Sequence, residues 1–152
     1  MKKVILILVF PIINAACTES QKEDPKIAKE VSLKGTWKLL SATVIEKGDT
    51  IITDYTKDRS FIKIINDTHF SFLNHSLRKD TTDFSAGGGT YNLDGNSYTE
   101  HLEYCSAKEW EGHDFPFTVT ITGDTLVQSG VEKIESQGIN RINTEKYIRY
   151  KK

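Results

Sequence analysis

From Thr36 onward, apolar and polar residues alternate with period two. The clearest run sets Phe115, Phe117, Val119 and Ile121 against Pro116, Thr118, Thr120 and Thr122. Alternation of this kind marks strands with one face buried. Read along the whole chain, it predicts strands over residues 36–46, 50–55, 59–66, 69–74, 89–94, 97–105, 115–122, 125–130 and 144–150. Several of the separators are hairpin punctuation: Lys47-Gly48-Asp49, Asn66-Asp67, Asp94-Gly95-Asn96 and Gly123-Asp124. Connections this tight leave no room for the crossover helices that parallel strands need, so the strands form an antiparallel meander. A long open sheet would expose its edges, and closure removes them. The predicted fold over residues 33–152 is therefore all-β, an up-and-down barrel of eight or nine antiparallel strands.

The first 32 residues follow a different pattern. Lys2 and Lys3 precede an apolar run from Val4 to Ile13 that contains Pro11. This run is too short to span about 30 Å of hydrocarbon, and it reads as a secretory signal peptide over residues 1–16. Ala15 and Ala16 directly before Cys17 resemble the lipobox of bacterial lipoproteins. That resemblance implies lipid on Cys17 and membrane attachment of a chain that is otherwise soluble. Thr18 after the cysteine is similar to lipoproteins sent to the outer membrane, and Lys22-Glu23-Asp24 resembles a signal for display on the cell surface, or else forms a solvated tether. Periplasmic or secreted protein is the alternative. Residues 18–24 are polar and reach about 20 to 25 Å when extended. Asp24-Pro25 looks like an N-cap followed by proline in the first helical position, with Ile27 and Val31 one turn apart. A short helix is expected there, ended by Gly35.

Composition narrows the class without changing the fold. The chain has 152 residues, 38% of them in the broad apolar set and 27% charged, which suits one folded domain and excludes wholesale disorder. A formal charge of −1 supplies no basic face for nucleic acid. With Cys17 lipidated, Cys105 has no partner for an intramolecular disulfide and reads as a structural thiol.

Gly35-Thr36-Trp37, opening the first strand, resembles the G-x-W motif of lipocalins, in which the tryptophan packs at the closed base of the barrel. The resemblance implies an arginine across that indole, with Arg149 the better match and Arg141 the runner-up. Lys63 to Phe70, Gly87 to Tyr91, and Tyr98 to His101 are similar to a family of bacterial lipocalin-like lipoproteins. Together these stretches cover most of residues 33–150.

A barrel of this size has an interior wide enough for side chains or for one small ligand, so the lumen and its mouth form the default site. Strand faces nominate Phe72, Tyr91, Tyr98, Glu100, Leu102 and Tyr104 as ligand contacts. Glu100 is either a polar anchor for a ligand, with Tyr91 and Tyr98 supplying hydroxyls, or the partner of a lysine or arginine in a packed core. A one-residue slip would instead send His101 and Glu103 inward. His69, His101 and Glu103 make a three-ligand zinc site conceivable, but their spacing is that of no compact motif, so no metal or other cofactor is expected. Gly87 to Gly89 precede a strand and lack a P-loop lysine, so they read as a hinge or bulge and not as a phosphate cradle. Residues 76–86 form a lid or a long hairpin loop, and residues 106–114 carry Trp110 either outward or folded in as a cap. Glu100 as base with Tyr91 or His101 as proton partner is the one acid–base arrangement on offer, and a non-enzymatic chain is expected. The leading expectation is a carrier of a small, partly apolar ligand. The alternative is an envelope interaction module without one.

Overall fold

The computed structural model describes residues 32–151. The predicted signal peptide, Cys17, and the predicted tether and helix lie outside the described residues, apart from Ser32 to Lys34, which are not helical. The strands are β1 (Gly35–Glu46), β2 (Asp49–Asp54), β3 (Arg59–Ile65), β4 (His69–Ser76), β5 (Phe84–Asp94), β6 (Ser97–Cys105), β7 (His113–Thr122), β8 (Thr125–Ile134) and β9 (Ile139–Arg149). All pairings are antiparallel. β1 also pairs with β9, from Trp37↔Arg149 to Glu46↔Arg141, and this contact closes the sheet into a barrel.

Nine strands make eight wall positions because β1 is long enough to carry two neighbours on one side. β3 pairs with its first residues, Gly35–Lys38, while β2 pairs with Ser41–Glu46. β2 and β3 thus share one place in the wall, split by the turn around Asp54, whose carboxylate accepts from the Thr56 amide at 2.8 Å. Among the described residues, nothing pairs with the outer edge of β2.

Alternation places Trp37, Leu39, Ile65, Phe70, Tyr98, Val119, Leu126 and Tyr147 inside, toward the tight hairpins at 66–68, 95–96 and 123–124. That end is closed. Trp37 is fully buried, its indole N–H donates to the Leu33 carbonyl at 2.8 Å, and the Arg149 guanidinium lies 4.1 Å above its ring. Arg149 also donates to the carbonyls of Lys34 and Ser32, both at 2.9 Å, which ties the entering chain across the base. The longer connections, 77–83, 106–112 and 135–138, cluster at the other end.

Three strand boundaries differ from the alternation by four residues or more. β5 begins at Phe84 instead of residue 89, because Gly87 to Gly89 carry no side chains to display a period, yet pair through their backbones with β4 and β6. The loop at 76–86 shrinks accordingly to 77–83. β8 runs on to Ile134 and β9 starts at Ile139, since Gly130 and the polar residues after it lie within the ladder and do not end it.

The register between β5 and β6 shifts at one place: Gly88 faces Tyr104 while Gly89 faces Leu102, leaving Glu103 as an extra residue. This is a β-bulge, and it reverses the alternation of β6 beyond it. The Glu103 carboxylate holds the kink by accepting from the Thr90 hydroxyl at 2.8 Å and from its amide at 3.2 Å. Glycine is required opposite the bulge, because a Cβ on Gly89 would sit 1.9 Å from the His101 carbonyl oxygen. Gly89→Ala is expected to destabilise the barrel by about 2–4 kcal/mol. Gly95→Ala, at a turn with open space but φ of +59°, should cost about 1 kcal/mol. The midpoints of urea unfolding for the two variants check the order.

Candidate functional site

Above the closed base the inward residues become smaller or polar, and the lumen opens into a cavity of about 410 Å³. One wall is aromatic. Phe72 on β4 stacks on Phe61 on β3, with centroids 5.6 Å apart and planes at 9°, and Tyr55, after β2, meets Phe61 edge-on at 5.8 Å. Trp110 closes part of the mouth. A single 3-10 turn, Lys108–Trp110, folds the indole inward against Phe115 at 5.6 Å, so this residue is a cap.

The floor of the cavity is a buried ion pair. Lys63, 2% exposed, meets the carboxylate of Glu100, 7% exposed, and donates to Gln128 Oε1 at 3.0 Å. The rings of Phe70, Tyr98 and Tyr147 surround the ammonium with centroids 5.5 to 5.8 Å from it. Such rings favour a cation electrostatically and offset part of its lost hydration. Glu100 therefore has the lysine partner that the strand pattern left open, and it faces the cavity as well.

A second polar chain climbs the β8–β9 side. Glu132 accepts from Arg141 Nε at 2.6 Å and from Asn143 Nδ2 at 2.8 Å. Glu145 accepts from Asn143 Nδ2 at 3.3 Å and from the Tyr147 hydroxyl at 2.6 Å. Arg141 also lies 5.1 Å over the Trp110 ring, which links this chain to the cap. Complete burial, with the Glu145 carboxylate next in effect, holds the Tyr147 phenol well above its ordinary pKa.

The structure distributes the six nominated contacts over three environments. Phe72, Glu100 and Leu102 line the cavity. Tyr91 and Tyr98 lie in the layer beneath it, their centroids 5.2 Å apart. The Tyr91 hydroxyl donates to the Asn66 carbonyl at 2.8 Å, while Tyr98 is fully buried, and burial followed by the charge of Glu100 raises its pKa strongly. These two tyrosines supply no hydroxyl to the lumen, because they stand near the closed end of β5 and β6. Tyr104 points outward and is 69% exposed, since the bulge at Glu103 turns Cys105 into the cavity in its place.

His101 faces outward, with Nδ1 2.7 Å from Asp114 Oδ1 and Nε2 2.8 Å from the Asn92 amide nitrogen, so it cannot serve Glu100 in proton transfer. His69 is engaged with the Thr68 hydroxyl and Glu103 with Thr90. Among the described residues no cluster of three metal-ligating side chains exists.

Lys63, Gln128, Glu132, Asn143 and Glu145 escape the sequence pattern because alternation assigns apolar residues to the inside. A signal was present. Leu126 and Ile134, both fully buried, share their parity with Gln128 and Glu132, and Tyr147 shares its parity with Asn143 and Glu145.

No protein-family model matches the chain, and no curated protein matches it. Among solved structures, the crystal structure of a mutant of the fluorescent protein UnaG is similar, with 11% sequence identity and a TM-score of 0.40 over 79% of this chain and 97% of that one.

Lys63→Met strands the Glu100 carboxylate in the core and is expected to cost about 3–5 kcal/mol. The double change Lys63→Met with Glu100→Leu should recover most of that loss, because the desolvation of both charges disappears together. Denaturant unfolding of the two variants beside the parent measures both effects.

Proposed function

We propose that this protein is a binding barrel that holds one small, partly apolar molecule in its lumen. The observation that carries this is the cavity itself. About 410 Å³ of space lies within the usual range of about 300–1,000 Å³ for ligand sites, and it joins an aromatic wall to a few convergent polar groups. A core built only for stability would fill that space with side chains, since close packing lowers free energy. Ala42→Phe, which fills the lumen from β1, should abolish binding of the uncharged dye Nile red. Ile52→Asp, on the outer face of β2, should leave dye fluorescence unchanged. Retained dye binding in a folded Ala42→Phe variant would overturn the reading.

The same proposal places the barrel on a lipid anchor at Cys17, at the outer membrane or cell surface. Its support is the apolar run ending in Ala15-Ala16-Cys17 and the polar tether after it. Two acyl chains hold a protein to a bilayer far more firmly than one. In a bacterial host, the full chain should incorporate a labelled fatty acid and Cys17→Ala should incorporate none, as read by gel fluorography.

A second reading, a protein-interaction module, draws on one specific feature. Val131, Ile142 and Ile45 form an exposed row across β8, β9 and β1, and Ile52, 72% exposed, extends it onto the unpaired edge of β2. Exposed apolar patches and open edges are contact surfaces.

A further inference from the structure

The charge balance of the lumen restricts what it can hold. Five charged side chains line the cavity: Lys63 and Arg141 against Glu100, Glu132 and Glu145. Both cations are already committed, Lys63 to Glu100 and Arg141 to Glu132. Among the described residues, Glu145 has no lysine or arginine paired with it. Its carboxylate receives only the Tyr147 hydroxyl and the Asn143 amide.

Asn143 supplies an independent observation. The residue is 7% exposed, and its Oδ1 has no hydrogen-bond donor. The amide cannot simply be turned over, because its nitrogen donates to both Glu132 and Glu145, and a flip would set the carbonyl oxygen against two carboxylates. The oxygen itself has almost no accessible surface and lies out of a ligand's reach, so the locked amide serves to hold the Glu145 carboxylate in place, the one lumen charge without a counter-ion among the described residues.

The space for a counter-ion exists on the same inward face. Across the ladder, Glu145 lies between Ala42 on β1 and Gln128 on β8. The short side chain of Ala42 leaves the carboxylate uncovered toward the lumen. Tyr147 is two residues along from Glu145, with Phe61 6.3 Å from its ring and Tyr55 5.8 Å beyond Phe61. Aromatic faces around a carboxylate suit a cation with an apolar body. An anionic ligand would instead have to draw Arg141 away from Glu132, whose oxygen sits 2.6 Å from Nε.

We infer that the lumen selects a small organic cation, with a primary ammonium seated against the Glu145 carboxylate and an apolar body along the Phe61–Phe72 wall. This rests on the proposed lumen-binding function and names the charge class of its ligand. Three probes of equal chain length separate the two claims: octylammonium, octanol and octanoate, titrated by calorimetry at neutral pH below their micellar concentrations. Octylammonium should bind at least ten-fold more tightly than octanoate and more tightly than octanol. Glu145→Gln, which can still accept from Tyr147, should remove that preference by weakening octylammonium at least ten-fold while leaving octanol unchanged. Octanol or octanoate binding as well as octylammonium, or a folded Glu145→Gln protein with undiminished octylammonium affinity, would overturn the charge assignment and leave lumen binding standing. Failure of all three probes would overturn both. The preference of the parent protein decides the matter by itself if the variant does not fold.

Discussion

The pairing of β1 with β9 is the constraint from which the remaining structure follows. It turns a meander with two open edges into a ring, and among the described residues the open edge that remains is the short outer side of β2. At its foot the Trp37 indole is buried beneath the Arg149 guanidinium, which also binds the carbonyls of the incoming chain. This contact joins the first strand, the last strand and the entry segment at one point. Once the ring is closed, every inward side chain must be accommodated in a space that water enters from one end only.

That enclosure explains why the inside is layered. Near the base the inward residues are large and apolar, and they meet in a close-packed floor. Farther along the same strands the inward positions are held by Ala42, Val44, Gln128, Glu132, Asn143 and Glu145, which cannot fill the diameter. The charged groups among them are stabilised by mutual pairing, by hydrogen bonds and, for Lys63, by three aromatic rings. Each partner loses hydration on burial and regains part of it from the others. Among the described residues, the charges of the lumen are thus paired except at Glu145, whose carboxylate receives only the Tyr147 hydroxyl and the Asn143 amide.

The bulge at Glu103 shows how one backbone irregularity sets the site. It moves Cys105 into the cavity and Tyr104 onto the surface, and it depends on glycine at position 89, where any side chain would strike the opposite carbonyl. The Gly87–Gly89 run has a backbone purpose here: Gly87 also leaves room for the Phe72 ring, whose atoms would lie 2.5 Å from an added Cβ.

Alternation and turn residues alone determined the antiparallel barrel, most of its strand limits and its tight hairpins, because these depend on local chemistry repeated along the chain. The same alternation put Phe72, Glu100 and Leu102 on one side of their strands, and they do line the cavity. It could not place Tyr104, since a bulge changes parity without leaving a period in the sequence. Nor could it place Tyr91 and Tyr98, because height along the barrel is set by register between strands and not by position within one. Glu132 and Glu145 look like solvent-facing residues in the sequence. Their parity with Leu126, Ile134 and Tyr147 is in the sequence, but tertiary structure decided that they face inward, because closing the ring makes that parity binding on them.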